Sequence, residues 1–271
     1  MQKRIGYLLV GHGTRNVAGQ QQFRTVFARF AERTAPELAE LAFLELAEPN
    51  IETAIGRLAS RGATHLVTVP ALLFSAGHAT RDIPTAVAQA ASEYGLSCLG
   101  QTPPFELSPQ VLGLSALRFR QAVCQTATPP SCGDGCEGRL CPQVGLALIG
   151  RGSRSSQATE RMRQFARLRR QITPVAVLET GFVFAQSPTV QECLQRLADS
   201  ECKTVVIQPH LLFEGELVEQ LRGQVAGFAA RFQQQRWVIT ETIGTDFALA
   251  DSLVDSLATL APHSVDCGES G

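Results

Sequence analysis

The chain has 271 residues, of which 44% are hydrophobic and 18% are charged, and its formal net charge at pH 7 is −1. This length accommodates two domains of ordinary size, and the apolar fraction is typical of a globular protein with a buried core. The balanced charge and the absence of a long basic run argue against nucleic acid as a partner, and no apolar stretch is long enough to span a membrane. We expect a cytoplasmic protein, because the N-terminal apolar run at 5–10 is also too short for a secretory signal.

The first half of the chain alternates short apolar runs with helical patterns. Apolar spacing, capping residues and glycine stops predict the elements in chain order. These are a strand at 5–10, a helix around 23–30, a strand at 41–46, a helix at 51–60, a strand at 64–70, a helix at 83–93, a short strand at 96–100 and a helix at 110–124. Ser108 and Pro109 form the start of that last helix, as a cap followed by a first-turn proline.

The second half repeats this order. Its predicted elements are a strand at 144–149, a helix from about 157, a strand at 175–183, a helix from 189, a strand at 204–208, a helix from about 216, a strand at 237–241 and a helix at 247–260. Each half therefore consists of four strand–helix units, which predicts an α/β fold with a mainly four-stranded parallel sheet flanked by helices, in the flavodoxin-like manner.

Short motifs show that the two halves are related by internal duplication. Gly11 aligns with Gly150, at an offset of 139 residues (150 − 11). The motif pairs are GHGTR (11–15) with GRGSR (150–154), VPALLF (69–74) with QPHLLF (208–213), and LELAEPNI (44–51) with FVFAQSPTV (182–190), the last with one residue inserted in the second copy. Three matches in one order indicate two tandem domains. We predict domains at 1–125 and 143–262, a Pro-, Gly- and Cys-rich linker at 126–142 and a tail at 263–271.

Three chemically active residues follow the first three strands of the first half. His12 follows strand one, Glu45 ends strand two, and His78 lies in the loop after strand three. The carboxyl ends of parallel strands meet at one edge of a sheet, so these side chains are predicted to lie together. Two imidazoles and a carboxylate can bind a first-row divalent metal, accept protons, or do both. The alternatives are a tight turn with an incidental histidine and a solvated charge at a strand end.

The second copy has lost these residues. Arg151 replaces His12, Leu217 replaces His78, and the counterpart of Glu45 lies near Val183. The glycine turn therefore does not depend on the imidazole. The turn also matches no nucleotide-binding motif, because Asn16 stands where a third glycine of G-x-G-x-x-G is required.

These motifs resemble a known family. HGTR, FLELAEPNI and VPALLFSAGHATRDIP are similar to the sirohydrochlorin chelatases, which are class II, ATP-independent tetrapyrrole chelatases. The second half resembles the degenerate second domain of the long, two-domain members. The resemblance implies two chelatase-type domains facing each other across a cleft. It also implies insertion of Co²⁺, which is favoured, or Fe²⁺ into sirohydrochlorin during cobalamin or sirohaem biosynthesis. The enzyme would be a sirohydrochlorin cobaltochelatase or ferrochelatase.

The resemblance also assigns roles to residues. It places the two catalytic, metal-binding histidines on His12 and His78 and the acidic position on Glu45. It implies no cofactor beyond the substrate metal, and a fused pair of domains is compatible with a monomer, although the oligomeric state stays open. The tail has neither the histidine-rich stretch nor the iron–sulfur motif that some long members carry.

Four arginines follow the two glycine turns and the second histidine. They are Arg15, Arg81, Arg151 and Arg154. Sirohydrochlorin carries many carboxylates, and bidentate arginine contacts would anchor them. We therefore predict substrate binding by these arginines, with ordinary surface arginines as the alternative. On this hypothesis Arg151 holds substrate where His12 acts on metal.

Two further groups are candidates for accessory roles. His210 could line the site and relay metal, or be a buried, hydrogen-bonded structural residue. Cys132, Cys136 and Cys141 could hold an iron–sulfur cluster or zinc together with Cys124, but their spacing matches no standard ligand set. Reduced thiols in a linker are the favoured interpretation.

Three other functions are compatible with the same residues. A non-catalytic metal or tetrapyrrole carrier would use the same histidines and cleft, and only turnover distinguishes it from an enzyme. A protohaem-type ferrochelatase would act on a less carboxylated ring, against which the arginines argue mildly. A phosphoryl-transfer enzyme with a histidine nucleophile would need a second phosphate-binding element, and this sequence shows no convincing one.

Overall fold

The protein is described by a computed structural model that covers residues 3–75, 77–124 and 141–260. The chain forms two compact units. One unit contains residues 3–106 and 247–260, and the other contains 107–124 and 141–246. No helix in these described ranges is both long and apolar enough to cross a membrane.

Each unit is built on a four-stranded, all-parallel sheet. The first unit has β1 (Ile5–Gly11), β2 (Leu38–Phe43), β3 (His65–Ala71) and β4 (Ser97–Gln101), in the order β2-β1-β3-β4. The second has β5 (Cys141–Gly150), β6 (Val175–Phe182), β7 (Thr204–His210) and β8 (Arg236–Ile239), in the order β6-β5-β7-β8. The identical order confirms the predicted duplication and the α/β fold class.

Helices connect the strands in both units. In chain order they are α1 (Val17–Thr34), α2 (Ile51–Ser60), α3 (Ile83–Glu93), α4 (Pro109–Cys124), α5 (Ser156–Ile172), α6 (Val190–Ala198), α7 (Glu216–Arg231) and α8 (Ala248–Ser256). Equivalent helices begin with equivalent caps. The Asn50 side chain accepts the backbone N–H of Thr53 at α2, and Thr189 forms a capping box with Glu192 at α6.

Apolar residues cover both faces of the first sheet. Leu8 and Val10 of β1 are fully buried and belong to a cluster with Ile55 of α2 and Ile83 at the start of α3. On the other face α1 buries Phe23 and Phe30, and α8 packs against α1. The second sheet is covered in the same manner, by α6 and α7 on one face and by α4 and α5 on the other. Packing on both faces therefore fixes the position of the sheet edge at which the carboxyl ends of the strands lie.

The compact units differ from the predicted domains in their last helices. The prediction placed α4 in the first domain and α8 in the second, but α4 packs on α5 and β7 in the second unit, while α8 packs on α1 in the first. Polar contacts explain the placement of α4. Arg169 of α5 donates to the Ser115 hydroxyl of α4 at 2.9 Å, and the Gln208 amide donates to the Ser115 carbonyl at 2.7 Å. A boundary at residue 125 therefore follows the sequence repeat and not the packing.

Two local predictions are corrected. The second strand covers 38–43 and not 41–46, because Leu38 pairs with Gly6 and Phe43 with Gly11 in the register with β1. The predicted insertion in the second copy is also wrong. Isolated bridges join Phe43 to Asn50 and Phe182 to Thr189, so the offset of 139 (182 − 43) holds throughout this loop.

Candidate metal centre

Three loops at the carboxyl edge of the first sheet bring together His12, Glu45 and His78. His12 directly follows β1, Glu45 lies two residues after β2, and His78 follows β3 after a short loop. One ligand atom from each side chain lies within 4.8 Å of the others. The predicted cluster therefore exists, although Glu45 occupies the loop and not the end of the strand.

The turn after β1 is shaped by its second glycine. Gly13 has a φ of 100°, in the left-handed region that favours glycine, and a Cβ there would collide with the carbonyl oxygen of Glu45. The Glu45 N–H donates to the His12 carbonyl at 3.0 Å, and the Leu44 N–H donates to the Gly11 carbonyl at 2.8 Å. These bonds continue the β1–β2 pairing into the loops and place Glu45 beside His12.

His12 is held between a backbone carbonyl and a carboxylate. Its Nδ1 lies 3.3 Å from the Gly13 carbonyl oxygen, and its Nε2 lies 3.2 Å from Oε1 of Glu45. The His12 side chain is 26% exposed and the Glu45 side chain 47% exposed, so the pair can be reached from solvent. Nε2 of His12 and the Glu45 carboxylate are therefore adjacent at the carboxyl edge of the sheet.

His78 begins a π-helical turn, His78–Asp82, that leads into α3. Its Nδ1 lies 2.9 Å from Oδ2 of Asp82, four residues later, and its ring lies edge-on to that of His12 with centroids 4.8 Å apart. Arg81 donates from Nε to the other Asp82 oxygen at 3.1 Å. Hydrogen bonds from Arg81 and then from His78 lower the pKa of the Asp82 carboxyl, so it is ionised at neutral pH.

Asp82 and Glu106 are site-supporting residues that the sequence analysis missed. Glu106 accepts the backbone N–H of Ser75 at 2.7 Å and so fastens the loop that precedes His78. The spacing of His78 and Asp82 in HATRD was a usable signal for the first contact, because residues four apart face each other on a helix. Glu106 and Ser75 are 31 residues apart in the chain, so no local sequence pattern indicates their contact.

This arrangement suits a first-row divalent cation. Each imidazole has an acceptor at Nδ1, which leaves Nε2 as the ligand atom. Two Nε2 atoms and a carboxylate oxygen form a mixed nitrogen–oxygen donor set, and exchange with solvent can supply further ligands. The same basic groups can accept protons.

The second unit keeps the backbone of this site and none of its ligands. Gly152 has a φ of 85°, and the Phe184 N–H donates to the Arg151 carbonyl at 2.9 Å, as Glu45 does to His12. The counterpart of Glu45 is therefore Phe184, which directly follows Val183. Among the described residues of the second unit, no group of three histidine, cysteine or acidic side chains could hold a metal.

The four predicted arginines are exposed. Arg15 follows His12 before α1, and Arg81 lies in the π-helical turn with 80% of its side chain exposed. Arg151 and Arg154 are exposed on the equivalent turn of the second unit. The exposed guanidinium groups are accessible to a ligand, and their contact with substrate carboxylates stays a prediction.

One accessory candidate, His210, is buried in the second unit. His210 is the last residue of β7 and only 2% exposed, and its ring packs on Phe165 with centroids 4.1 Å apart. Burial lowers the pKa of His210 to about 3, so its imidazole is neutral at pH 7, and the metal-relay role stays a prediction. Cys132 and Cys136 lie outside the described residues, and Cys141 begins β5 with its side chain outside them.

Comparison with known proteins finds relatives with related sequences and a similar fold. The chain is 29% identical to a sirohydrochlorin ferrochelatase of Bacillus subtilis over 80% of its own length and 78% of the relative. It is 27% identical to a sirohydrochlorin cobaltochelatase of Priestia megaterium over 80% of its length and 67% of that protein. The structure of SirB from Bacillus subtilis with Fe³⁺ is 25% identical, with a TM-score of 0.78 over 95% of this chain and 96% of SirB.

A family comparison covers most of the chain. The model of the CbiX family matches residues 6–122 and again residues 145–260. The two matches coincide with the two sequence repeats and include the turns that carry His12 and Arg151. This protein therefore belongs to the CbiX family and carries the family domain twice.

Proposed function

We propose that this protein catalyses the insertion of a divalent metal into sirohydrochlorin. The observation that carries the proposal is the cluster of His12, Glu45 and His78, whose ligand atoms lie within 4.8 Å of one another at the carboxyl edge of the first sheet. The relatives named as sirohydrochlorin ferrochelatase and cobaltochelatase support the same reaction.

Metal delivery is the first task of the site. Nε2 of His12, Nε2 of His78 and a carboxylate oxygen of Glu45 take up the aqueous cation and replace part of its hydration shell. Three protein ligands leave coordination positions for the tetrapyrrole nitrogens. A partly exposed site exchanges metal more readily than a closed structural site, which suits a metal that is a substrate.

Proton removal is the second task. Metal insertion releases the two N–H protons of the ring, and the paired His12 and Glu45 lie 3.2 Å apart at the place where the cation is held. A neutral imidazole or a carboxylate can accept such a proton and pass it to solvent. Neither step requires a nucleotide, and we propose that the reaction is ATP-independent.

Substrate orientation is the third task. We assign it to Arg15, Arg81, Arg151 and Arg154, whose guanidinium groups suit the carboxylates of the macrocycle. The second repeat has then exchanged metal chemistry for anion binding at the turn of Arg151.

The metal is proposed to be Co²⁺, with Fe²⁺ as the alternative. The nitrogen and oxygen ligands accept both ions, and relatives of comparable identity carry both names. The choice decides whether the product serves cobalamin or sirohaem biosynthesis.

The test is anaerobic metallation of sirohydrochlorin, followed by absorbance, with Co²⁺ and Fe²⁺ in parallel and no nucleotide. We expect the wild-type protein to accelerate the reaction. His12→Ala and His78→Ala should lower the rate by on the order of 100-fold or more, as expected for loss of a metal ligand or a general base. His65→Ala is the matched control, because His65 begins β3, at the strand end opposite the loops, and contacts Thr64.

The outcomes separate the proposal from its alternative. Acceleration that is lost in both histidine variants and kept in the control supports a chelatase. Stoichiometric binding of metal or ring with no acceleration over the uncatalysed rate makes the protein a carrier. In the same assay, Arg151→Ala should raise KM for sirohydrochlorin, and Arg196→Ala, which removes an exposed ion pair with Glu179, should not.

A further inference from the structure

The two histidines of the site are supported in different ways. Nδ1 of His12 faces a neutral carbonyl, that of Gly13, at 3.3 Å, whereas Nδ1 of His78 faces the Asp82 carboxylate at 2.9 Å. Conversely, the carboxylate of Glu45 lies at Nε2 of His12, on the ligand side of that ring. Of the two histidines, only His78 has a carboxylate at Nδ1, on the side of the ring opposite the proposed ligand atom Nε2.

The backbone around His78 is built for this contact. The Ile83 N–H donates to the His78 carbonyl, five residues earlier, which defines the π-helical turn. Such turns are rare and occur often at functional sites, because the wider coil reorients one or two side chains. Here the turn holds His78 and Asp82 face to face at its two ends.

The Asp82 carboxylate is itself oriented. Its Oδ1 accepts from Nε of Arg81 while its Oδ2 accepts from the His78 ring. Two donors on two oxygens determine the direction of the carboxylate plane, so Asp82 restrains the ring as well as contacting it.

The second repeat provides an internal comparison. The positions equivalent to His78 and Asp82 are Leu217 and Leu221, both in the regular helix α7. The aspartate, the histidine and the π-helical turn are therefore absent together from the described part of the repeat that has no metal cluster.

We infer that Asp82 is a positioning residue for the reaction: it holds His78 as the Nδ1–H tautomer, with Nε2 directed at the incoming cation. An imidazole in the other tautomer would present a proton and no lone pair to the metal. A carboxylate acceptor at Nδ1 also strengthens the donor power of Nε2, and loss of such a partner lowers metal affinity by 10- to 100-fold in other proteins, which sets the order of magnitude expected here. This inference rests on the proposed function for its role in turnover, but its tautomer and metal-binding parts do not.

The experiment compares Asp82→Ala, Asp82→Asn and wild-type protein. The tautomer of His78 is read from long-range ¹⁵N–¹H spectra of the metal-free chain, and Co²⁺ affinity from anaerobic titration without tetrapyrrole. We expect Asp82→Ala to lose the Nδ1–H tautomer and to weaken Co²⁺ binding by roughly 10- to 100-fold. Asp82→Asn keeps an oxygen acceptor and should recover part of both.

Two controls isolate the mechanism. Asp199→Asn removes another carboxylate that accepts from a residue four positions earlier, Gln195 at 2.9 Å, away from the site, and should leave both readouts unchanged. In a His78→Ala background, Asp82→Ala should weaken Co²⁺ binding no further, because Asp82 acts through His78.

An unchanged tautomer and Co²⁺ affinity in Asp82→Ala would overturn the inference, as would a further loss of affinity in the His78→Ala background. Failure of the wild-type protein to accelerate metallation would instead count against the proposed function and leave these readouts valid. If both hold, Asp82→Ala should raise KM for the metal.

Discussion

At the scale of single residues, one backbone turn supports two kinds of chemistry. Gly13 and Gly152 both have positive φ, and a Cβ at either position would collide with the carbonyl of the next loop. The residue before each glycine is free of that constraint, so it can be His12 in one repeat and Arg151 in the other. Loss of metal ligands in the second repeat therefore left its fold intact.

His210 is a buried histidine, and its burial makes the stability of the protein depend on pH. Burial lowers its pKa to about 3 from the ordinary 6.5, so below pH 6.5 the unfolded chain takes up a proton that the folded chain refuses. Stability is then fully present above pH 6.5 and is lost as the pH falls towards 3. Between pH 7.5 and pH 5 we expect a loss of about 2 kcal/mol in the free energy of unfolding from this residue.

Urea unfolding of wild-type and His210→Gln protein at the two pH values checks this expectation. The wild-type loss should exceed the loss in the variant by the amount given, because glutamine does not titrate. Thr68→Ser, at a buried position of β3 that does not titrate, is the control and should follow the wild type. An equal loss in wild-type and His210→Gln protein would contradict the assignment.

At the scale of the elements, equivalent helices carry different buried surfaces. Phe30 of α1 is fully buried, and its counterpart in α5 is Arg169, also fully buried. The helix packed on α5 supplies Ser115, whose hydroxyl and carbonyl accept from Arg169 at 2.9 and 3.2 Å. At the equivalent position α8, which packs on α1, has Val254. The polar contact of Arg169 with Ser115 therefore favours α4, and not α8, as the helix that covers α5.

Ser115→Val tests this matching. It removes the hydroxyl acceptor of a buried guanidinium, so we expect a loss of about 1.5–3 kcal/mol in the free energy of unfolding, measured by urea denaturation. Adding Arg169→Met should recover part of that loss, because the buried charge is then also removed. Ser256→Val, at a serine whose hydroxyl donates to the Leu253 carbonyl in the same helix, should cost much less. Strictly additive effects of Ser115→Val and Arg169→Met would refute the coupling.

At the scale of the whole molecule, the compact unit is not the unit of sequence repetition. The first sheet is completed by α8, from the end of the chain, and the second by α4, from the end of the first repeat. A chain cut at the repeat boundary therefore separates each sheet from one of its covering helices.

We expect residues 1–125 expressed alone to lack a cooperative thermal transition at the temperature of the full chain, because α1 loses the apolar cover of α8. Co-expression with residues 126–271 should restore it. Circular dichroism melts and gel filtration of the separate and combined fragments provide the measurement. A monomeric 1–125 fragment that melts like the intact chain would contradict the helix assignment.

Much of the fold and the site could be predicted from the sequence alone. Apolar runs and caps predicted β1, α2 and α3 closely, since these signals depend on neighbouring residues. The order of strands and helices along the chain predicts His12, Glu45 and His78 at one edge of the sheet, because parallel strands in such a sheet end together.

Only the tertiary structure decided the remaining features. The limits of β2 depend on its register with β1, the burial of His210 on its contact with Phe165, and the support of His78 on the turn that brings Asp82 to it. The assignment of α4 to the second sheet depends on partners more than fifty residues away, at Arg169 and Gln208. The sequence by itself determined the elements, the repeat and the ligand types, because local spacing encodes them. The exchange of helices and the supporting contacts depend on the packing of distant side chains, which local spacing does not encode.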